Sequence, residues 1–462
     1  MIKCFLWFVP CLFVLAGFAQ KANYKEAERF MRGNAEKLVG STKVSPHFLK
    51  ESDKFWYSYK TGDGTRYYFV DPKARIHREL FDREFMTAEI SKYTHGPVNY
   101  KELPVRALVF KEDEKTLKFE VDTFRFEYNI YTNRLVKIDS ARKKPDATPK
   151  KSNGLEGTYS PDSTYIVYAK SHNLYMLSVK DSVETQITTD GELKYSYAYG
   201  DTDTTSKRVS ARVTWFENSE RFYVRRSDRR KIKTLYVVNN LSSRPTLNEY
   251  EYVMAGDQEV FLVDTTDKKL IKVPVEKWPD QTLRLFTPGK KVNSLYFLRK
   301  KRTCDEIDFC KVDLKTGEVK VLINEISKPY FNNDFFHLSL LNEGEDIIWW
   351  SERTGHGHFY HYDGEGNLKN AITAGNWTAG KMVKIDTVGR TIYFGAYGQE
   401  KGACPYYARV NKARIDGNGQ VEVLTPEQAT HEAYFSKSGR YFVDNYSRAD
   451  LEPRSVLRDN KG

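Results

Sequence analysis

After residue 18 this sequence has no long apolar run. Nothing there approaches the roughly 20 apolar residues that a membrane-spanning helix needs, so no transmembrane segment is expected once the N-terminus is set aside. Cysteine is scarce, five in 462 residues. The three beyond the leader, Cys304, Cys310 and Cys404, make no double pair at zinc spacing. Stretches rich in Ala or Leu at helical spacing are rare, which speaks against a helical core. No metal and no cofactor is expected.

What is abundant is aromatic. Tyr (31) and Phe (27) dominate the 14% aromatic content, a composition that favours strands over helices and argues against disorder. Net charge is +11, which speaks to solubility more than to fold. The basic runs Lys300-Lys301-Arg302 and Arg225-Arg226 with Arg229-Arg230-Lys231 are broken by acids and alternate like exposed strand faces. A nucleic-acid partner is therefore not expected.

The N-terminus reads as a signal peptide over residues 1–19. Lys3 supplies the positive start, Phe5–Phe18 is apolar apart from Pro10, and Gly17 and Ala19 suit cleavage after Ala19. Export to the periplasm or the exterior follows; a retained N-terminal anchor stays open as the alternative. Export permits a disulfide between Cys304 and Cys310, which fall in one expected hairpin. Residues 20–40 read as a short N-terminal helical segment, with Phe30, Met31, Ala35 and Leu38 on one face and Gly40 at its end.

From residue 41 to 458 the pattern is short strands separated by turns. One unit is Lys54-Phe55-Trp56-Tyr57-Ser58-Tyr59, a Gly62-Asp63-Gly64 turn, then Tyr67-Tyr68-Phe69-Val70. Another starts at Ser160-Pro161-Asp162-Ser163, and others near Trp215, Leu295, Ile347, Thr391 and Arg440. Such a unit cannot cover both of its faces alone; stacked radially, neighbouring sheets cover each other, which is a β-propeller. At about 40–50 residues per blade the segment holds roughly eight to ten. The expectation is all-β, eight blades of four-stranded antiparallel sheets, with insertions at 72–105 and 240–285. Whether strands from the two ends close the ring is open.

The stretch Trp349-Trp350-Ser351-Glu352-Arg353-Thr354-Gly355, followed by His358-Phe359-Tyr360 and Ile372-Thr373-Ala374-Gly375-Asn376-Trp377, resembles the N-terminal propeller of dipeptidyl peptidase IV-like enzymes of the prolyl oligopeptidase family. Pro405-Tyr406-Tyr407 is similar to the family's next blade. Phe435-Ser436 through Asp444-Asn445-Tyr446-Ser447-Arg448-Ala449-Asp450 is similar to its last strands, and residues 459–462 to the start of the linker into a peptidase domain. Arg244-Pro245-Thr246-Leu247 with Ala255-Gly256-Asp257 resembles a bacterial subgroup.

The resemblance implies a serine peptidase domain of α/β-hydrolase type beyond the propeller. No G-x-S-x-G occurs in this sequence, so the nucleophile elbow of that domain has no candidate, no catalytic residue is assigned, and the chain is expected to be inactive alone and truncated before its Ser-Asp-His domain. The dipeptidyl branch also implies two adjacent glutamates that bind the substrate amine, and no Glu-Glu pair exists here. The matching region lies near Glu192 and Asp201, both weak candidates for that contact. Glu352 and Arg353 are candidates for a buried pair or a tunnel-lining contact. His356, His358 and His361 read as a polar turn rather than a metal site, since strand alternation parts His358 from His361.

The expected function is substrate gating for an exported exopeptidase, with peptides as substrates and a separately encoded catalytic domain or a homodimer as partner. The alternative is a stand-alone periplasmic or surface propeller that binds a peptide, glycan or protein. A site in the central channel would need convergent carboxylates or histidines, and none is assigned.

Overall fold

The computed structural model describes residues 22–31, 33–34, 39–94, 96–140, 157–199, 207–251, 258–287 and 294–461. The expected signal peptide lies outside them. Of the N-terminal helix, Tyr24–Glu28 is helical, capped by the Asn23 side chain. Turn-like i→i+3 bonds follow at Phe30 and Met31, both exposed. Gly33, inside the expected helix, is the physical weak point.

Among the described residues, eight antiparallel sheets of three or more strands follow in chain order, spanning 47–79, 106–140, 158–186, 195–273, 281–326, 338–371, 378–423 and 430–459. Six have four strands in meander order. The fourth has five, because Tyr195–Ser196 and Val213–Trp215 both pair with Arg221–Asp228. The eighth has three. We number these sheets as blades 1 to 8.

Strand alternation gives each blade two apolar faces, and the faces of neighbours merge into shared clusters. The Trp349-Trp350 pair shows the principle. Trp349 packs with Phe309 and Tyr296 of blade 5, whereas Trp350 packs with Ile392 and Phe394 of blade 7. Both rings are almost fully buried. The Trp350 Nε1–H donates to Ala379 O at 2.7 Å, tying blade 6 to blade 7. A Cβ on Gly357 would fall 2.2 Å from Trp350 Cζ2, so this glycine is what lets the indole lie flat.

The two expected insertions resolve differently. Residues 80–105 hold the helix Arg83–Ser91, capped by Asp82, with Met86 and Ile90 buried between blades 1 and 2. The second insertion lies earlier than expected. It is the exposed hairpin Thr234–Asn239 and Thr246–Glu251, while Gln258–Asp264 and Leu270–Val273 complete blade 4.

The two ends meet without sharing a strand: blade 1 uses only residues 47–79 and blade 8 only 430–459. The Asn445 amide accepts the Val44 N–H at 3.1 Å and donates to Val44 O at 2.8 Å, standing in for a strand neighbour. Val443 packs against Phe55, Tyr57 and Val70, and Arg440 bonds Asp53 at 2.9 Å.

Cys304 and Cys310 are both free, which corrects the expected disulfide. Cys304 sits in the turn between Leu295–Lys301 and Glu306–Val312, and Cys310 lies well along the second strand, buried in the core between blades 4 and 5. An extended strand advances about 3.3 Å per residue, which carries Cys310 out of reach of the turn. Burial pushes its thiol pKa up to about 12.

Candidate functional site

In a blade whose strands run from the centre outward, the links from strand two to three and from one blade to the next emerge on one face. On that face lie the segment before Tyr195, the exposed hairpin, the 327–337 segment and the 352–357 turn. Glu192, Glu352 and Arg353 all belong to it.

Blade 4 carries the densest group of charges there. Arg226 is only 4% exposed. Its Nε donates to Glu259 at 2.8 Å and its Nη1 to the Tyr197 hydroxyl at 3.0 Å and to Asp190. The guanidinium lies 3.8 Å from the Tyr195 ring centre and 4.9 Å from that of Phe261. Arg230 covers the same Tyr195 ring at 3.6 Å and bonds Asp228 at 2.9 Å and Glu192 at 3.2 Å. Burial opposes the charge on Arg226, but its bonds to Glu259 and Asp190 outweigh this and raise its pKa. Burial likewise opposes ionisation of Glu259, and Lys272 and Arg226 hold it below the ordinary range. Arg226 and Glu259 are thus held charged and matched. The cluster fixes the shape of the rim and offers no group poised to move a proton.

Glu192 is exposed, and its carboxylate is engaged by Arg230. Asp201 lies outside the described residues, as do Ala255-Gly256-Asp257. Glu352 and Arg353 do not pair with each other. Glu352 accepts the Asn332 N–H at 3.3 Å and borders a cleft of about 710 Å³ lined by residues 327–334 and Gly355. Arg353 turns instead to the buried Glu325 at 3.2 Å and to the Tyr360 ring at 4.2 Å. Glu325 also accepts the Trp349 Nε1–H at 2.5 Å, so the motif's arginine neutralises an acid that anchors the motif's tryptophan.

The histidines serve packing. His358 bonds Thr373 Oγ1 at 3.1 Å and Gly375 O at 3.0 Å. His361 bonds Asp346 at 2.5 Å and Asn370 at 3.2 Å. They share no partner. Sequence reading missed a tighter group, Glu427, His431 and Asp444, whose potential ligand atoms lie within 4.8 Å of one another. Arg458 already occupies it as the cation, bonding Asp444 at 3.0 Å and both Glu427 oxygens at 2.7 Å. Glu427 and His431 lie four residues apart in one segment, and Asp444 joins them from the next strand, so no short motif marks the group.

Two serine–histidine contacts were also invisible in sequence. His172 Nδ1 lies 3.2 Å from Ser196 Oγ, and His337 Nε2 lies 2.7 Å from Ser339 Oγ. Both serines sit on propeller strands rather than at a strand-to-helix elbow. Burial lowers the His337 pKa to about 4, too low for an effective base at neutral pH.

Comparison with known proteins agrees with this architecture. A probable dipeptidyl peptidase 4 of Trichophyton verrucosum is 22% identical over 198 residues, 40% of this chain and 25% of that protein. The crystal structure of Porphyromonas gingivalis dipeptidyl peptidase 4 superposes with a TM-score of 0.50 at 18% identity, covering 91% of this chain and 58% of that one. A putative dipeptidyl aminopeptidase IV from Bacteroides ovatus gives 0.50 at 18%, covering 90% and 59%. The chain thus spans less than two thirds of the length of the relatives it matches. Residues 106–453 match the family described as the dipeptidyl peptidase IV N-terminal region, and this chain, a β-propeller with that match over most of its length, belongs to that family.

Proposed function

We propose that these residues form the non-catalytic, substrate-gating propeller of an exported serine exopeptidase acting on peptides. Bond cleavage falls to an α/β-hydrolase domain outside these 462 residues. The observation that carries this reading is the family match over residues 106–453, joined to the gathering of rim loops and aromatic and charged side chains on one face of the ring. Amine recognition by paired glutamates is not part of the proposal, since Glu192 is bound to Arg230.

The hairpin Thr234–Asn239 and Thr246–Glu251 supports a homodimer contact. Leu235, Tyr236, Val237, Val238, Leu247 and Tyr250 are exposed on it, more apolar surface than a lone hairpin ordinarily shows to water.

Titration calorimetry of the purified chain with the carboxylate-free tetrapeptide amide Ala-Pro-Gln-Ala-NH2 tests the gating reading. Saturable binding at one site is expected. No saturable heat up to millimolar peptide overturns it.

A further inference from the structure

Alternation along Arg221–Asp228 sends Phe222 and Val224 into the core shared with blade 3, and Tyr223 into that shared with blade 5. Arg225 has the parity of Tyr223, so it leaves the sheet on the blade 5 side, opposite to Arg226. The register Val213↔Val224 places Arg212 directly across from Arg225, and the Arg225 N–H donates to Arg212 O at 3.1 Å. Two arginines are therefore cross-strand neighbours on one face, near the innermost edge of blade 4.

Like charges placed so are unfavourable, and this pair is only half exposed to water. Burial, then the charge of Arg225, lowers the Arg212 pKa. Arg212 Nε is buried without a hydrogen-bond partner. Among the described residues no carboxylate pairs with either guanidinium. The acids of blade 5 on the facing side are already committed: Glu306 and Asp308 to Lys277 at 2.7 and 3.0 Å, and Asp308 to Arg299 at 2.8 Å. Among the described residues the Arg212 guanidinium faces the Tyr199 ring, which lies 5.6 Å away and is 66% exposed. By contrast, the buried Arg226 guanidinium of the same blade has its acids, Glu259 and Asp190.

We propose that Arg212 and Arg225 form an anion site at the inner edge of blade 4 that takes a carboxylate of a bound peptide, from an acidic side chain or the C-terminus. An arginine's N–H fork matches a carboxylate, and here two arginines are cross-strand neighbours. That the ligand is a peptide rests on the gating function proposed above; the anion site itself does not.

The test uses the full chain and three peptides: Ala-Pro-Glu-Ala-NH2, Ala-Pro-Gln-Ala-NH2, and Ala-Pro-Gln-Ala with a free C-terminus. A charge-assisted contact should make at least one carboxylate-bearing peptide bind about tenfold or more tighter than the carboxylate-free Gln amide. The Glu amide arm reports a side-chain carboxylate and the free-acid arm a C-terminal one. Arg212→Gln and Arg225→Gln should each erase the preference without lowering the melting temperature, since each removes a like-charge repulsion. Equal affinity for all three peptides overturns the carboxylate site and leaves the gating reading intact. A second readout is the melting temperature in succinate. If no peptide binds but succinate stabilises the chain and not the variants, the anion site stands and peptide gating falls. If neither peptides nor succinate act, both fall. A preference lost only in variants that also melt lower marks the arginines as structural and overturns the proposal.

Discussion

Replacing Asn445 with alanine should open the ring at one seam. The Asn445 side chain is 6% exposed and makes both backbone contacts to Val44, at 3.1 and 2.8 Å. The Val44 N–H keeps a second acceptor in Ser455 Oγ at 3.2 Å, so only Val44 O is stranded. Losing one net hydrogen bond costs about 1 kcal/mol and stranding a shielded carbonyl about 1–3 more, a sum of about 2–4 kcal/mol for local opening. At 1.4 kcal/mol per tenfold, amide protection in Tyr441–Arg448 and Phe55–Thr61 should fall about 30- to 700-fold. Amides of Glu306–Val312, across the ring, should keep theirs, because local opening is not shared by distant units. Hydrogen exchange read by mass spectrometry measures both regions in one sample. Unchanged protection at the seam, or an equal loss around the whole ring, would refute the view that side chains close this propeller.

Other outcomes follow from the same contacts. Trp350→Ala should destabilise by about 3–5 kcal/mol through the cavity it leaves, and Gly357→Ala should harm folding by driving a methyl into the same indole; urea unfolding checks both. Iodoacetamide at pH 8 should label Cys404 and Cys304 and spare Cys310 in the folded chain, with no disulfide found on non-reducing gels; a Cys304–Cys310 crosslink would contradict the free thiols. His337 sets a pH window: its folded pKa near 4 lies below the usual 6.5, so the unfolded chain takes the proton first. Its stabilising share is full above pH 6.5 and shrinks as pH falls toward 4, by at most about 3 kcal/mol. His337→Gln should flatten that part of the urea-midpoint profile.

The propeller was legible because it rests on local signals. Asp313-Leu314-Lys315-Thr316-Gly317 is a turn in sequence and in space: Asp313 Oδ1 accepts the N–H groups of Lys315 and Thr316 at 2.8 Å, and Gly317 takes a φ of 77°. The doubled tryptophan buries one ring on each face of its strand, by strand alternation. The site was far less legible. Arg225 and Arg226 read as an exposed basic run, yet one side chain is enclosed by Asp190, Tyr197 and Glu259, which lie 29 to 36 residues away in sequence. No spacing rule finds partners delivered by three different strands and loops. The Glu352–Arg353 pairing failed because adjacent residues at a strand end point apart, so each met a different neighbour. The disulfide failed because a shared hairpin fixes register, not the reach from its turn to its core.

In the proposed function this chain recognises peptides and leaves their cleavage to another domain. The most direct test follows chromophore release from Ala-Pro-para-nitroanilide by the purified chain, with and without a serine-reactive phosphonate. No release and no phosphonate adduct is the predicted result. Turnover that the phosphonate abolishes would place a working serine nucleophile within these residues and contradict the account.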